Sequence, residues 1–359
     1  MNSKNRIATI ILVIVIVIIL VCIGVSGGRG NNKGIQIGAI MALTGSSADQ
    51  GNAILNGMKW KIDELNQSGS DYKLLSEDSK TDVKEGVSAF NKLVTIEGVR
   101  LIFSHLSGIS LAVKPLAEQN KVLQWAYSAY PEVTNDSSYV LRHAYDSAFD
   151  STALTENIIG RGLKRVYIVY QQEPYGQSFN KNLTKDLTDK GVAVDSVGVD
   201  NKSPDFRTEL TKAKSFNPDA VVFVIIGNGA GLVVKQIKEI GYKGDIYSSA
   251  GFAISPGAIA VAGQALSGMY YQTDQYDPTQ NTDFTNEYMR RFGIKAQINA
   301  GLGYIDIEIL DQAIKQVGTD PLRIVNYIKS LGSFQGKYQK VNITTDGSIV
   351  IPTVIKVWQ

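Results

Sequence analysis

The stretch Ile37–Gly57, IGAIMALTGSSADQGNAILNG, decides how the rest of the chain is read. An apolar run opens it, a polar turn with hydroxyls and glycines follows, and the chain enters a helix at Asn52. A strand feeding a helix through a short turn is the βα unit of a parallel sheet. Ligands of such sheets collect at the carboxyl ends of strands, beside the next helix N-termini. Backbone N–H groups and short hydroxyls there hold a small anion without a dedicated cation. Alone, the segment is an ordinary connection; its weight comes from repetition.

From Ile35 onward, short β runs alternate with amphipathic helical stretches. Strands are expected at Ile35–Ile40, Tyr72–Leu75, Val99–Phe103 and Val122–Ala126, with helices at Asn52–Asn66, Val83–Ile96 and Ile109–Gln119. A second series has helices at Ser147–Ile159, Gly176–Asp189, Phe206–Lys214 and Leu232–Ile240. Its strands are Arg165–Tyr170, Val192–Val199, Ala220–Ile226 and Asp245–Tyr247. This alternation implies an α/β fold of parallel sheets with right-handed crossovers, and two series imply two doubly wound lobes. The remainder offers a strand at Met269–Thr273, helices at Asp283–Phe292, Asn299–Gln316 and Leu322–Leu331, and two strands, Gly336–Val341 and Ile349–Val357, around Thr345-Asp346-Gly347. It has no core of its own, so it must pack on the lobes. Crossings near Ala144–Ser147 and Thr273–Tyr276 give a first lobe of residues 35–145 plus about 275–345 and a second of 146–274 plus about 346–359.

The chain's 359 residues suit two lobes, and 44% hydrophobic with 19% charged residues describes a globular protein. A net charge of +2 leaves no basic footprint for nucleic acid. The only cysteine, Cys22, lies in the N-terminal apolar run, so the body forms no disulfide. His105 and His143 lack ligand spacing, and neither metal nor cofactor is expected. Lys4 and Arg6 precede Ile7–Val25, a run of signal or anchor type that places the body outside the cytoplasmic membrane. Residues 1–25 are therefore read as signal or anchor and 26–34 as a Gly-rich tether. Cys22 is a candidate for lipidation, although Val21 stands where such sites carry a small residue, so an uncleaved transmembrane helix remains the alternative.

IQIGAIMALTGSSADQGNAILNGMKWKIDELN (Ile35–Asn66) resembles the opening of the type I periplasmic binding proteins that serve ABC importers of leucine, isoleucine and valine. Further matches follow in order: LIFSHLSGISLA (Leu101–Ala112), AYSAYPEVT (Ala126–Thr134), Glu173-Pro174-Tyr175-Gly176, Asp205-Phe206, Pro218-Asp219-Ala220, Gly268-Met269-Tyr270 and Tyr304–Asp306. The resemblance implies that a ligand carboxylate is held at two first-lobe loops, by Ser107 with Gly108 and by Ser128, Ala129 and Tyr130. It also implies that Tyr175 closes from the second lobe. Read without the family, Ser107 is a helix cap or an anion donor, and Tyr175 a loop aromatic. Family members that bind α-amino acids carry an acid after a second-lobe strand, where this chain reads Tyr247-Ser248-Ser249-Ala250-Gly251. Ala250 thus stands without the acid, Gly227 lies near a missing family aromatic, and Tyr127 and Tyr130 replace small residues. A buried ammonium without a counter-charge is costly, so an amide or an aromatic acid fits as well as an amino acid.

Gly227-Asn228-Gly229-Ala230-Gly231 after a strand suggests a dinucleotide loop, but its third glycine comes one residue early and no acid ends the next strand. A cleft-lining loop is the better reading. No nucleophile elbow, triad or phosphate loop is present, so no enzyme is expected. The acid pairs Asp63-Glu64 and Asp306/Glu308 read as solvated helix faces. Two functions share the cleft: a monomeric solute-binding protein delivering to an ABC permease and ATPase, or a tethered receptor read by a membrane sensor.

Overall fold

The structure, a computed structural model, describes residues 34–275 and 277–359. The apolar run, Cys22, the tether up to Lys33 and Tyr276 lie outside the described residues, and among those described no helix is long and apolar enough to cross a membrane.

The strands in chain order are β1 (Ile35–Met41), β2 (Tyr72–Asp78), β3 (Leu101–His105), β4 (Leu123–Tyr127), β5 (Val140–Ala144), β6 (Arg165–Gln171), β7 (Ala193–Val199), β8 (Ala220–Val224), β9 (Asp245–Ser248), β10 (Tyr270–Asp274), β11 (Ser333–Gln335), β12 (Lys340–Ile343), β13 (Ser348–Val350) and β14 (Thr353–Val357). They form two sheets, β11-β12-β13-β5-β4-β3-β1-β2 and β14-β10-β9-β8-β6-β7. Neighbours from β13 to β3 and from β6 to β9 run parallel with helices between them, as the alternation predicts. Central strands such as β8, AVVFV, are buried at every position, the pattern of strands covered on both faces.

Both sheets are mixed rather than parallel, which corrects the expectation. β11–β12–β13 is antiparallel, and β14 pairs antiparallel with β10. The closing run, expected as one strand, is two: Ser348–Val350 joins the first sheet and Thr353–Val357 the second. Pro352, which donates no ladder hydrogen bond, lies between them. The chain therefore passes between sheets after β5, after β10 and after β13. The first long helix begins at Ala48, four residues before the expected Asn52, with Asp49 in its first turn complementing the helix dipole.

Strand β5 has no counterpart in the sequence reading. Its Val-Leu-Arg-His-Ala puts a cation and a histidine at fully buried positions, so the apolar run is broken. The fold satisfies both. Arg142 donates to the Ser128 and Tyr145 carbonyls, the Ser348 hydroxyl and the Asp146 carboxylate, the last at 2.6 Å. His143 Nδ1 lies 2.6 Å from Asp306. Asp306 is thus no solvated acid but fully buried on helix Ile298–Val317, and Glu308 pairs with Lys61 at 3.2 Å. That helix crosses helix Ala48–Gln67 at contact distance, because a Cβ on Gly57 would strike the Ala300 carbonyl and one on Gly303 the Ile54 carbonyl. The close crossing carries Ile54, Asn299 and Leu302 to the edge of the first sheet.

Candidate functional site

A cleft of about 620 Å³, including its open mouth, lies where the carboxyl ends of both sheets face each other. Its first wall comes from Gln50 and Ile54, the end of β3 and its turn (His105, Leu106, Ser107), Tyr127 and Ala129 after β4, Ala144 and Tyr145 at the end of β5, and Asn299 and Leu302. The second wall is Gln171, Glu173, Tyr175, Ile226, Gly251 and Ile254. Most of this surface is apolar or aromatic.

Local backbone builds the first wall. Leu106 takes φ 78°, a conformation rare for a residue with a side chain, and its N–H donates to the Tyr127 carbonyl at 3.1 Å. The chain then enters helix Ser107–Asn120 directly at the cleft. Ser107 makes no capping bond, and its hydroxyl accepts from Ser128 Oγ at 3.1 Å. Leu106 holds the N-cap position, so Ser107 is the first helical residue and its side chain lines the cleft, next to first-turn N–H groups that have no partner within the helix. Behind this turn Ser128 is tied by Arg142 to the floor of the sheet. Tyr127, with Trp125 and His143, faces the buried Asp306 carboxyl, which burial raises and these partners lower. Burial alone pushes His105 down to about 4, so it stands neutral beside the cleft at pH 7.

On the second wall, Tyr175 donates to Ser249 Oγ at 2.7 Å. Gln171 accepts from the Ile226 N–H at 2.9 Å, and its amide reaches toward Glu173 at 3.4 Å. Glu173 precedes Pro174, the first residue of helix Pro174–Asp189, so it sits extended at the strand-to-helix turn. Burial raises its carboxyl above the ordinary range, against an attraction from Lys202.

Of the residues singled out in the sequence, Ser107, Tyr127, Ala129 and Tyr175 line this cleft. Gly108 faces its rim instead, with Val83 and Pro174 as neighbours. Ser128 is buried behind Ser107, and Tyr130 lines a separate recess with Glu132, Gln177 and Lys181. Ala250 is fully buried, and its neighbour Gly251 takes the lining position. Gly227 lies on the seam between the lobes, at φ 72°, where a Cβ would come 2.5 Å from the Ser46 carbonyl. The hydroxyl-rich turn of the opening stretch belongs to the same seam. Asp78 holds Leu43, Thr44 and Lys80, while Gln50 donates to Ser255 at 2.5 Å and Asp49 accepts from the Gly257 N–H at 3.2 Å. The Gln50–Ser255 and Asp49–Gly257 hydrogen bonds join the two lobes beside the cleft.

Sequence reasoning gave no role to Gln50, Asn299 and Leu302, which arrive through the helix crossing, to Gln171, or to Glu173, the first residue of the motif whose Tyr175 it singled out. Among the described residues no cluster of three or more His, Cys, Asp or Glu could hold a metal.

Residues 34–354 match the sequence profile of the periplasmic binding protein family. Leu/Ile/Val-binding protein homolog 2 of Brucella abortus is 26% identical over 345 residues, spanning 90% of each chain. The leucine-binding protein LivK of Thermotoga maritima superposes with a TM-score of 0.84 at 25% identity, covering 90% of this chain and 95% of its own. A solute-binding protein of an ABC transporter from Rhodopseudomonas palustris, solved with 3,4-dihydroxybenzoic acid, superposes with a TM-score of 0.80 at 21% identity over 90% of this chain and 93% of its own.

Proposed function

The chain belongs to the periplasmic binding protein family, a family of binding proteins and not of enzymes, and from that premise we propose that it is the extracytoplasmic solute-binding component of an ABC importer. It captures a small carboxylate with an apolar body between its lobes and presents it to a permease and its ATPase. The apolar run Ile7–Val25 serves as its export or anchoring segment. One observation carries the choice of ligand: the cleft has an uncharged anion end, Ser107 and the start of its helix, set against aromatic and aliphatic walls with no lysine or arginine among the lining residues. Helix N–H groups and hydroxyls bind a carboxylate in that setting without burying an unpaired cation when the site is empty. The leucine-binding and Leu/Ile/Val-binding relatives support the same class of ligand. Hinge motion about the three chain crossings opens and shuts the cleft.

A thermal-shift panel of amino acids, amides and aromatic acids tests this reading. A ligand at a hundred times its dissociation constant adds about 2.7 kcal/mol, a clear rise in melting temperature. Stabilisation by neutral sugars or inorganic ions, with none by any small carboxylate, contradicts it.

A further inference from the structure

Among the described residues, Glu173 is the only aspartate, glutamate, lysine or arginine lining the cleft. Its carboxylate has no ion-pair partner within 4 Å among the described residues; the hydrogen bond from Gln171 Nε2, at 3.4 Å, is long. A half-buried charge left in this state gains when a cation is brought to it. Its position matters as much as its charge. Pro174, the next residue, lies 3.9 Å from where a Cβ on Gly108 would stand, so Glu173 borders the cleft opposite the Ser107–Gly108 turn. Ser107 and Glu173 therefore line the same cleft from its two walls.

Other acids near the hinge are engaged or enclosed elsewhere. Asp146 is bound to Arg142 and caps helix Ser147–Gly160. Asp274 is 2% exposed and lines a separate small cavity with His143 and Gln339. Ala250 and its neighbours bring no acid at all.

We infer that Glu173 supplies the counter-charge for an ammonium group on the ligand, so that the cleft selects α-amino acids over the same acids lacking the amine. The inference rests on the proposal that the site takes small carboxylates, and it assigns the amine to a strand-to-helix turn of the second lobe. A carboxylate–ammonium pair at such a site fixes specificity through the penalty for leaving Glu173 unpaired.

Calorimetric titration of the full chain with L-leucine, 4-methylpentanoate, L-phenylalanine and 3-phenylpropanoate tests it, alongside Glu173→Gln. The wild-type chain is expected to bind at least one amino acid roughly ten- to a hundredfold more tightly than its des-amino counterpart. Glu173→Gln keeps its melting transition and its affinity for the des-amino acid, but the amino preference collapses. Equal binding of the two forms by the wild-type chain overturns the inference while leaving the carboxylate reading standing. So does an amino preference that survives in Glu173→Gln. Failure of all four probes to bind, where other classes of solute do bind, overturns both.

Discussion

The two walls of the cleft are built differently. The first is braced from behind: Ser107 rests on Ser128, Ser128 on Arg142, and Tyr127 on the Asp306–His143 pair, all of them buried. The second has shorter support, a Tyr175–Ser249 bond and the Gln171 contacts to Ile226 and Glu173. A braced wall presents its polar groups in a set geometry, and the proposed carboxylate site lies there. The second wall brings apolar side chains and one acid without an ion-pair partner, and the proposed discrimination lies there. On this proposal, capture and discrimination are divided between the lobes.

The contrast breaks most visibly at Arg142. Removing a buried cation strands the Asp146 carboxylate and two carbonyls, and Arg142→Ala is expected to cost about 3–5 kcal/mol of stability. Chemical denaturation reads this directly; a loss below about 1 kcal/mol would mean that the bracing is ornamental.

Ser107→Ala comes next, with a different signature. It should weaken binding of the preferred carboxylate by about 1.5–3 kcal/mol, roughly ten- to a hundredfold, while the melting temperature of the free chain holds. Lost stability with unchanged affinity would move Ser107 from recognition to bracing.

Asp150, fully buried on helix Ser147–Gly160, accepts from Thr353 at 2.8 Å, and burial pushes its carboxyl up to about 8, with Thr353 and Arg142 opposing. The folded chain thus holds a proton that the unfolded chain releases near its ordinary value of 3.8. Its contribution to stability is full below that lower value and is lost as pH rises toward 8. Asp150→Asn should flatten this part of the profile and melt higher than the parent at pH 8, by at least about 1 kcal/mol. Parallel profiles for the two proteins would show that Asp150 does not titrate in this range.

Tyr175→Phe is the mildest probe of the second wall. It removes the bond to Ser249 but keeps the ring, and an affinity loss of about 1 kcal/mol or less is expected. A hundredfold loss would show that the hydroxyl itself binds the ligand.

How much of this was legible in the sequence follows from burial. Runs such as AVVFV announce a strand because every residue is apolar and covered. Strand β5 hides because Arg142 and His143 interrupt its pattern, and only distant partners, Asp306 and Ser348, make such burial tolerable. Asp306 misleads for the same reason, since a helix acid reads as solvated until its histidine is in place. Ser107 is readable from Ser-Gly at a strand end. Glu173 carries an equivalent signal, an extended residue before a helix-opening proline, whereas the family resemblance points to Ala250 for the acid. Gln50, Asn299 and Leu302 reach the cleft through the Gly57–Gly303 crossing, which no local pattern encodes.

The most direct measurement is a crystal structure of the chain with a bound carboxylate, L-leucine or the strongest binder of the thermal-shift panel. Closed lobes are expected, with the ligand carboxylate within hydrogen-bond distance of Ser107 Oγ and the N–H groups of the Ser107–Gly108 turn and its apolar body against Tyr127, Tyr145 and Ile226. A ligand seated in the Tyr130 recess, or one whose carboxylate turns to the second wall, would contradict it.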